Sequence, residues 1–228
     1  MSSDDHDHDH DHDDHHHHGQ DHAHAPHPHQ PDVEDRPLTY HMALAEAVAD
    51  LLVARGVLTR DELRRTLEDI DARSPAAGAR VVARAWVDPA YKARLLEDVN
   101  AAAAELGIDA GPIPIRAVES TADVHHLIVC TLCSCYPRLL IGLPPDWYKA
   151  RAYRSRAVRE PRAVLAEFGL DLPDGVRVEV HDSTADLRWM VLPARPAGTE
   201  GWDEALLAAI VTRDCMIGTA VPRAEGGG

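Results

Sequence analysis

Residues 129–137 read VCTLCSCYP and place three thiols, those of Cys130, Cys133 and Cys135, within six residues. The preceding run, Val124–Val129, is short, largely apolar and typical of a strand. Three thiols so close together cannot all enter a core or all pair with one another. Thiolates favour transition metals, and a Cys-x-x-Cys-x-Cys loop can direct three sulfurs at one ion. The stretch therefore predicts a metal-binding loop that follows a strand.

The backbone of this loop offers further ligands. The amide nitrogens of Ser134 and Cys135 lie between two of the sulfurs in the sequence, so an ion seated in the loop would contact them as well. A short loop does not let its sulfurs reach opposite corners of a tetrahedron comfortably. A planar or octahedral site with mixed sulfur and nitrogen ligands is therefore expected.

The spacing of the cysteines alone is also compatible with other kinds of metal site. A structural zinc site needs a fourth ligand, for which His125, His126 and Cys215 are the candidates. An iron–sulfur cluster has the same requirement. The two histidines are also explained as ordinary strand residues. A non-catalytic cobalt- or zinc-binding protein is a hypothesis from a different functional class.

Beyond the loop, the predicted secondary structure changes once along the chain. Residues 39–107 have helical periodicity and helix caps throughout, whereas strands and helices are mixed after Gly111. This organisation predicts an α+β fold, with a helical N-terminal arm followed by an α/β catalytic region that carries the cysteine-rich loop. The expected segments are a disordered tail over 1–37, the arm over 38–110, the α/β region over 111–222 and a flexible end over 223–228.

Helix caps predict where individual helices begin, and alternating apolar and polar residues predict the strands. In the arm, helices are expected to begin at Thr39, at the capping box Thr59–Glu62, near Ala79 and at Asp88-Pro89, the last ending at Gly107. In the α/β region, strands are expected at Val124–Val129, Val176–Val180 and Leu187–Leu192, with helices at Pro161–Gly169 and after Asp203.

The charge of the chain is concentrated at its N-terminus. Residues 1–30 hold 12 of the 16 histidines and eight aspartates without any Lys or Arg, and thus −8 of the net charge of −15. This composition has nothing to bury, which predicts disorder. Alternating imidazoles and carboxylates could gather divalent cobalt, nickel or zinc, although a solubilising leader or a cloning tag would have the same composition.

Composition also excludes several classes of protein. The net charge of −15 argues against nucleic-acid binding. No apolar run reaches 18 residues, so a membrane span is not expected. The acidic N-terminus differs from a signal peptide, which predicts a cytoplasmic protein whose four cysteines are ligands or reactive thiols rather than disulfides.

Five segments together resemble one family. The cysteine loop is similar to the metal-binding claw of the nitrile hydratase α subunit and of the related thiocyanate hydrolase γ subunit. The resemblance extends over residues 40–222, and in that family a threonine after the first cysteine, here Thr131, accompanies cobalt whereas serine accompanies iron. The other matching segments read LPPDWYK (143–149), REPRAVLAEFG (159–169), RPAGTEGW (195–202) and VTRD (211–214).

The resemblance implies a cofactor, partners and a reaction. One low-spin cobalt(III) ion would be held by Cys130, Cys133 and Cys135 and by the amide nitrogens of Ser134 and Cys135. Cys133 would be a sulfinate and Cys135 a sulfenate, whose oxygen is a candidate nucleophile or base. With a β-type subunit of one or two chains, and with a cobalt-loading activator protein to supply the metal, the enzyme would hydrate a small nitrile to an amide.

Some residues depart from the nitrile hydratase pattern. Arg138 stands where that family has tryptophan and thiocyanate hydrolases have arginine, so it is a candidate for substrate selectivity. Cys215 and the Asp/His-rich leader also favour thiocyanate hydrolysis, whereas Leu143-Pro144-Pro145 and the short link between Gly107 and Val124 favour nitrile hydration. Arg138 is equally explained as a surface ion-pair residue, and Cys215 as a small buried hydrophobe.

Overall fold

The computed structural model describes residues 39–224. The chain divides into two compact units, Met1–Val57 and Leu58–Gly228. The described part of the first unit contains one helix, α1 (Tyr40–Ala54), whose expected N-cap is confirmed because the Thr39 hydroxyl accepts a hydrogen bond from the backbone of Met42. None of the residues of α1 is buried, and most of its apolar side chains are exposed, with Ala49, Leu52 and Val53 half-buried. The predicted disorder of residues 1–37, and residues 225–228 of the flexible end predicted over 223–228, lie outside the described part of the chain.

The second unit begins with four helices. The capping box of α2 is confirmed, with reciprocal hydrogen bonds between Thr59 and Glu62. The prediction of a single helix from Asp88-Pro89 to Gly107 is wrong. Asp98 interrupts it with an extended backbone, and its carboxylate instead caps the next helix by accepting from the backbone of Ala101. These helices are α2 (Arg60–Asp71), α3 (Ala76–Val87), α4 (Pro89–Glu97) and α5 (Val99–Glu105).

The remainder mixes strands and short helices, which confirms the expected α+β class. The predicted bounds of β2 are correct, and β3 lies one to two residues further along than predicted. Strand β1 and the short helices α6, α7, α8 and α11 were not predicted. The elements are β1 (Ile115–Glu119), β2 (Val124–Val129), α6 (Arg138–Ile141), α7 (Asp146–Lys149), α8 (Arg151–Arg156), α9 (Pro161–Glu167), β3 (Arg177–Asp182), β4 (Arg188–Leu192), α10 (Glu204–Ala209) and α11 (Arg213–Ile217).

The strands form two parallel pairs. In one pair β1 lies beside β4, and in the other β2 lies beside β3 with Val124 opposite Arg177 and Val129 opposite Asp182. Because the two strands of a parallel pair run in the same direction, the residues that follow them emerge at the same edge. The loop after β2 and the end of β3 are therefore neighbours.

The core fixes the position of β2. The side chains of Leu127, Ile128 and Val129 are buried, and the hydroxyl of Tyr153 donates to the carbonyl of Ile128 at 2.6 Å. On the other side, Gly218 ends α11 with a φ of +95°, and a Cβ there would lie 2.0 Å from the carbonyl oxygen of His126. Only glycine fits this close approach of the α11 turn to the strand. Among residues 39–224, no helix combines the length and apolarity needed to cross a membrane.

Candidate metal centre

The three predicted thiols converge in the loop that follows β2. The Sγ atom of Cys133 lies 3.5 Å from that of Cys130 and 3.2 Å from that of Cys135. Cys130 is buried at the end of the strand, Cys135 is half-buried and Cys133 is exposed. The cluster is therefore anchored in the core on one side and open on the other.

Backbone amides of the loop also face the sulfurs. The amide of Cys133 donates to the sulfur of Cys130 at 3.2 Å, and those of Ser134 and Cys135 donate towards the sulfur of Cys133. Hydrogen bonds from the neighbouring thiols, together with these amides, lower the pKa of Cys133 to about 7. Burial raises the pKa of Cys135. The loop thus gathers three sulfurs and two amide nitrogens around one point.

Asp182 holds the first residue of the loop from the neighbouring strand. One of its carboxylate oxygens accepts from the amide of Thr131 at 2.9 Å, and the other accepts from the Thr131 hydroxyl at 2.6 Å. This contact follows from the register, because β3 ends at Asp182 directly opposite the last residue of β2. The sequence analysis missed Asp182, since the β2–β3 pairing is needed to bring it to the loop.

Two residues from α7 and α8 fix carbonyl groups of the loop. The guanidinium of Arg154 donates to the carbonyl of Thr131 at 3.2 Å, and the hydroxyl of Tyr148 donates to the carbonyl of Cys135 at 3.0 Å. Burial raises the pKa of Tyr148, so its phenol stays protonated and remains a donor. Both ends of the claw are therefore oriented by side chains outside it.

A cavity of about 560 Å³ opens above the sulfurs. Its lining includes three basic side chains, Arg138, Lys149 and Arg188, and no Asp or Glu. Lys149 is paired with Asp146 at 3.2 Å. Arg138 is exposed and forms no salt bridge with any residue in the described range, so the expectation of a surface ion pair is not met there. The electrostatic environment of the cavity favours anions.

Arg188, at the start of β4, is a second residue that the sequence analysis missed. Its Nη1 atom is buried and has no hydrogen-bond partner within residues 39–224, although its charge partly offsets the rise that burial causes in the pKa of Cys135. A buried guanidinium donor without a partner is costly, so this atom is suited to an anionic group in the cavity. The only sequence signal was a basic residue at the start of an otherwise apolar strand.

The residues considered as a fourth ligand to zinc lie elsewhere. His125 contacts the carbonyl of Gly218 at 2.7 Å, His126 contacts His181 at 2.9 Å, and the buried thiol of Cys215 contacts the Thr212 hydroxyl at 3.2 Å. Within the described chain, the metal-ligating group at the loop consists of the three cysteines alone. A tetrahedral zinc site or an iron–sulfur cluster therefore finds no fourth protein ligand in this part of the chain.

The sulfur separations are in the range that one metal ion requires. At a bond length of about 2.3 Å, tetrahedral zinc separates its sulfurs by about 3.8 Å, whereas ligands at right angles are about 3.3 Å apart. The separation of 3.2 Å matches the second arrangement, and that of 3.5 Å lies midway between the two. The donor set of soft sulfurs and amide nitrogens, with Arg188 nearby to balance negative charge, fits a transition-metal ion.

The fold and the loop together define a class of protein: an α+β subunit with a thiolate metal claw at the edge of a parallel strand pair. The sequence matches the family described as nitrile hydratase, alpha chain, over residues 39–220. The chain belongs to this family, as its resemblance predicted.

The chain is similar to subunits of nitrile hydratases and to a subunit of a thiocyanate hydrolase. The low-molecular weight cobalt-containing nitrile hydratase subunit alpha of Rhodococcus rhodochrous is 48% identical over 182 residues, which cover 79% of this chain and 88% of the relative. The cobalt-containing nitrile hydratase subunit alpha of Pseudonocardia thermophila is 46% identical over 80% of this chain and 91% of the relative. The thiocyanate hydrolase subunit gamma of Thiobacillus thioparus is 42% identical, covering 79% of each.

Solved structures of the family have the same fold. A recombinant thiocyanate hydrolase comprising partially modified cobalt centres has a TM-score of 0.77 at 41% identity, covering 82% of this chain and 92% of that chain. A double mutant of the Fe-type nitrile hydratase from Comamonas testosteroni Ni1 has a TM-score of 0.75 at 41% identity, covering 81% and 91%. The fold therefore accompanies both activities and both metals among these relatives.

Proposed function

We propose that the chain is the catalytic, metal-binding subunit of a cobalt nitrile hydratase, a hydro-lyase that converts the C≡N group of a small nitrile into an amide. The observation that carries the proposal is the convergence of three thiols at 3.2 and 3.5 Å below an open cavity. Thr131 stands at the position that accompanies cobalt in the family, and iron is the less favoured ion. The cobalt-containing relatives support this choice.

The residues that would hold one cobalt(III) ion are those of the claw. Cys130, Cys133 and Cys135 provide sulfur, and Ser134 and Cys135 provide amide nitrogen. When bound, the ion supplies Lewis acidity that polarises a nitrile and lowers the pKa of water. The hydrogen bonds that Asp182 accepts and that Arg154 and Tyr148 donate would keep the loop in shape as the ligands exchange protons for metal.

The chemistry of the chain itself would centre on Cys135. Its sulfur lines the cavity, and in the sulfenate form its oxygen could act as nucleophile or as base. As base it would take one proton from a water molecule while the water oxygen bonds to the nitrile carbon. Returning that proton to the nitrogen gives an imidic acid, which tautomerises to the amide. The sulfinate form of Cys133 and the amide of Ser134 complete the proposed catalytic set.

A partner subunit is part of this proposal. Oxidised claw sulfurs are anionic, and buried charge must be paired. Among the described residues of the cavity, Arg188 offers an unpaired buried donor, and a β-type subunit of one or two chains would supply further cations and cover the open side. A cobalt-loading activator protein and a cytoplasmic location remain predictions of the same kind.

Thiocyanate hydrolysis, giving carbonyl sulfide and ammonia, is the second candidate. The specific observation in its favour is the set of three basic side chains around a cavity without carboxylates. Thiocyanate is an anion and a nitrile is neutral, so this lining favours thiocyanate at the binding step. The relative from Thiobacillus thioparus carries that name.

One preparation tests the proposal and its alternatives. The chain is co-expressed with its partner subunit in cobalt medium, and the purified complex is assayed with nitrile and with thiocyanate. We expect low-spin cobalt–thiolate absorption and nitrile hydration by the complex, and no turnover by the isolated chain. Turnover of thiocyanate alone would favour the second candidate. A metal-loaded complex inactive on both would favour a non-catalytic metal-binding protein.

A further inference from the structure

A second group of metal-ligating side chains lies on the β2–β3 pair, outside the claw. His126 is opposite Glu179 in the parallel register, and His181 follows two residues later on the same strand. Because side chains alternate along a strand, Glu179 and His181 point to the same face, and that face is shared by His126. The register therefore brings His126 together with two residues that lie 53 and 55 positions further along the chain.

The ligand atoms are already close to the separation that a metal needs. The Nδ1 atom of His126 lies 2.9 Å from Nε2 of His181 and 3.9 Å from a carboxylate oxygen of Glu179, and all three atoms lie within 4.8 Å of one another. An ion with ligands at about 2.0–2.1 Å in tetrahedral geometry separates them by about 3.3 Å. Forming the site therefore requires the two histidine nitrogens to separate by about 0.4 Å and the exposed Glu179 carboxylate to move towards His126 by about 0.6 Å.

The surroundings orient the two rings. The backbone amide of His126 donates to the Ser120 hydroxyl at 3.2 Å, and its ring contacts the backbone of Glu119. The ring of His181 packs against that of Trp189 with centroids 4.8 Å apart. The His126 side chain is 10% exposed and that of Glu179 is 43% exposed, so one side is open for a water ligand. Held histidines with an open side are characteristic of a metal site that exchanges a ligand.

The charges around the group are compatible with a divalent ion. Each of the two imidazoles can donate a lone pair to an ion in its neutral form. Glu179 supplies one negative charge. Its other oxygen accepts from Arg177 at 3.1 Å, but that guanidinium is 71% exposed and its charge is screened by solvent.

We propose that His126, Glu179 and His181 form a second metal site, which takes a divalent transition ion such as Zn²⁺ or Co²⁺. Two imidazoles and one carboxylate suit such ions, whereas the sulfur and amide donors of the claw suit a trivalent one. The site is independent of the proposed catalytic activity, because it uses none of the claw residues.

Zinc binding to the full-length complex tests the proposal. Cobalt-loaded complex is dialysed against zinc buffered by nitrilotriacetate, and the zinc bound per chain is compared between the unaltered protein and the His181→Phe variant. Phenylalanine keeps an aromatic ring against Trp189. The histidines of residues 1–30 are present in both proteins, so their zinc cancels in the difference. We expect one additional zinc per chain in the unaltered protein, and at least about tenfold weaker binding in the variant.

Two further measurements guard against a folding defect. Glu179→Gln removes a charge from a side chain that is already 43% exposed, and it should also weaken zinc binding, while Arg177→Gln on the same strand should not. In crystals soaked with zinc, anomalous scattering should peak between His126 and His181. Equal zinc in the unaltered protein and the variants, or no anomalous peak there, would show that the group is only a hydrogen-bonded histidine cluster.

Discussion

The claw loop and the histidine cluster on β2–β3 are assembled by the chain in different ways. The claw takes its donors from six consecutive residues, and three sulfurs meet because the loop is short. The histidine cluster takes its donors from two strands, and they meet because the strands pair in one particular register. A local donor set depends on loop shape, whereas a distributed one depends on the tertiary fold. The two should therefore respond differently to mutation.

The largest effect is expected from removing one claw sulfur. Cys133→Ala should reduce cobalt retention by more than about a hundredfold, because loss of a partner outside the ligand set already costs about 10–100-fold. Zinc binding at the histidine cluster should be unchanged. Metal analysis of the purified complex provides both values. Cys215→Ala is the matched control, since this thiol is buried elsewhere. Stoichiometric cobalt in Cys133→Ala would refute the claw assignment.

Arg188→Gln tests whether the unpaired buried guanidinium serves the claw. Removing the positive charge should cost on the order of 2 kcal/mol, or about thirtyfold in kcat/KM, because anionic claw oxygens would lose a partner. Steady-state kinetics on the cobalt-loaded complex measures this effect. The control is Arg116→Gln on the exposed face of β1. Equal kcat/KM values for the two variants would mean that Arg188 is only structural.

Asp182→Asn tests the one support of the claw that depends on strand pairing. The amide can still accept one hydrogen bond from Thr131 but carries no charge, so cobalt should dissociate about tenfold faster. The rate is followed by the loss of cobalt–thiolate absorption in the presence of a chelator. Asp186→Asn, an exposed residue four positions on, should have no effect. If both variants release cobalt at the rate of the unaltered protein, the claw retains cobalt without any contribution from Asp182 and from the strand pairing that positions it.

Arg138→Trp should change substrate preference rather than metal binding. It should raise KM for thiocyanate and lower KM for a nitrile, with a coupling on the order of 1 kcal/mol for an exposed charge. Added salt should weaken binding of the anion only, because screening acts over about 8 Å at physiological ionic strength. Kinetics with both substrates at two salt concentrations measures the coupling. Parallel responses would place substrate choice in the partner subunit.

The smallest effect is expected from deleting residues 1–30. This segment has no apolar run with which to pack over the cavity. Activity per bound cobalt should therefore stay the same, while cobalt loading from limiting metal should fall. Expression at a series of cobalt concentrations, followed by measurement of bound cobalt and of activity per bound cobalt, separates loading from catalysis. A large loss of activity in fully loaded truncated complex would contradict this prediction.

The difference between local and distributed information also explains what the sequence could predict. The claw, the caps at Thr39 and Thr59 and the bounds of β2 depend on neighbouring residues, and the structure confirms them. The break at Asp98 was missed because aspartate can either continue a helix or cap the next one. Asp182, Arg188 and His181 were missed for another reason: each acts on a residue more than 50 positions away, through pairings that periodicity does not reveal.

Strand β2 connects the two donor groups along a line of fixed length. His126 lies near its start and Cys130 directly after its end, four residues further on, which corresponds to about 13 Å at the usual rise of a strand. Its pairing with β3 over six residues prevents that length from changing. Low-spin cobalt(III) is diamagnetic, so in a chain without the histidine-rich residues 1–30 a copper(II) ion bound at His126 and His181 would be an electron-spin probe at a fixed distance from the claw. Relaxation of substrate nuclei by that spin would then measure where a nitrile or thiocyanate sits in the cavity.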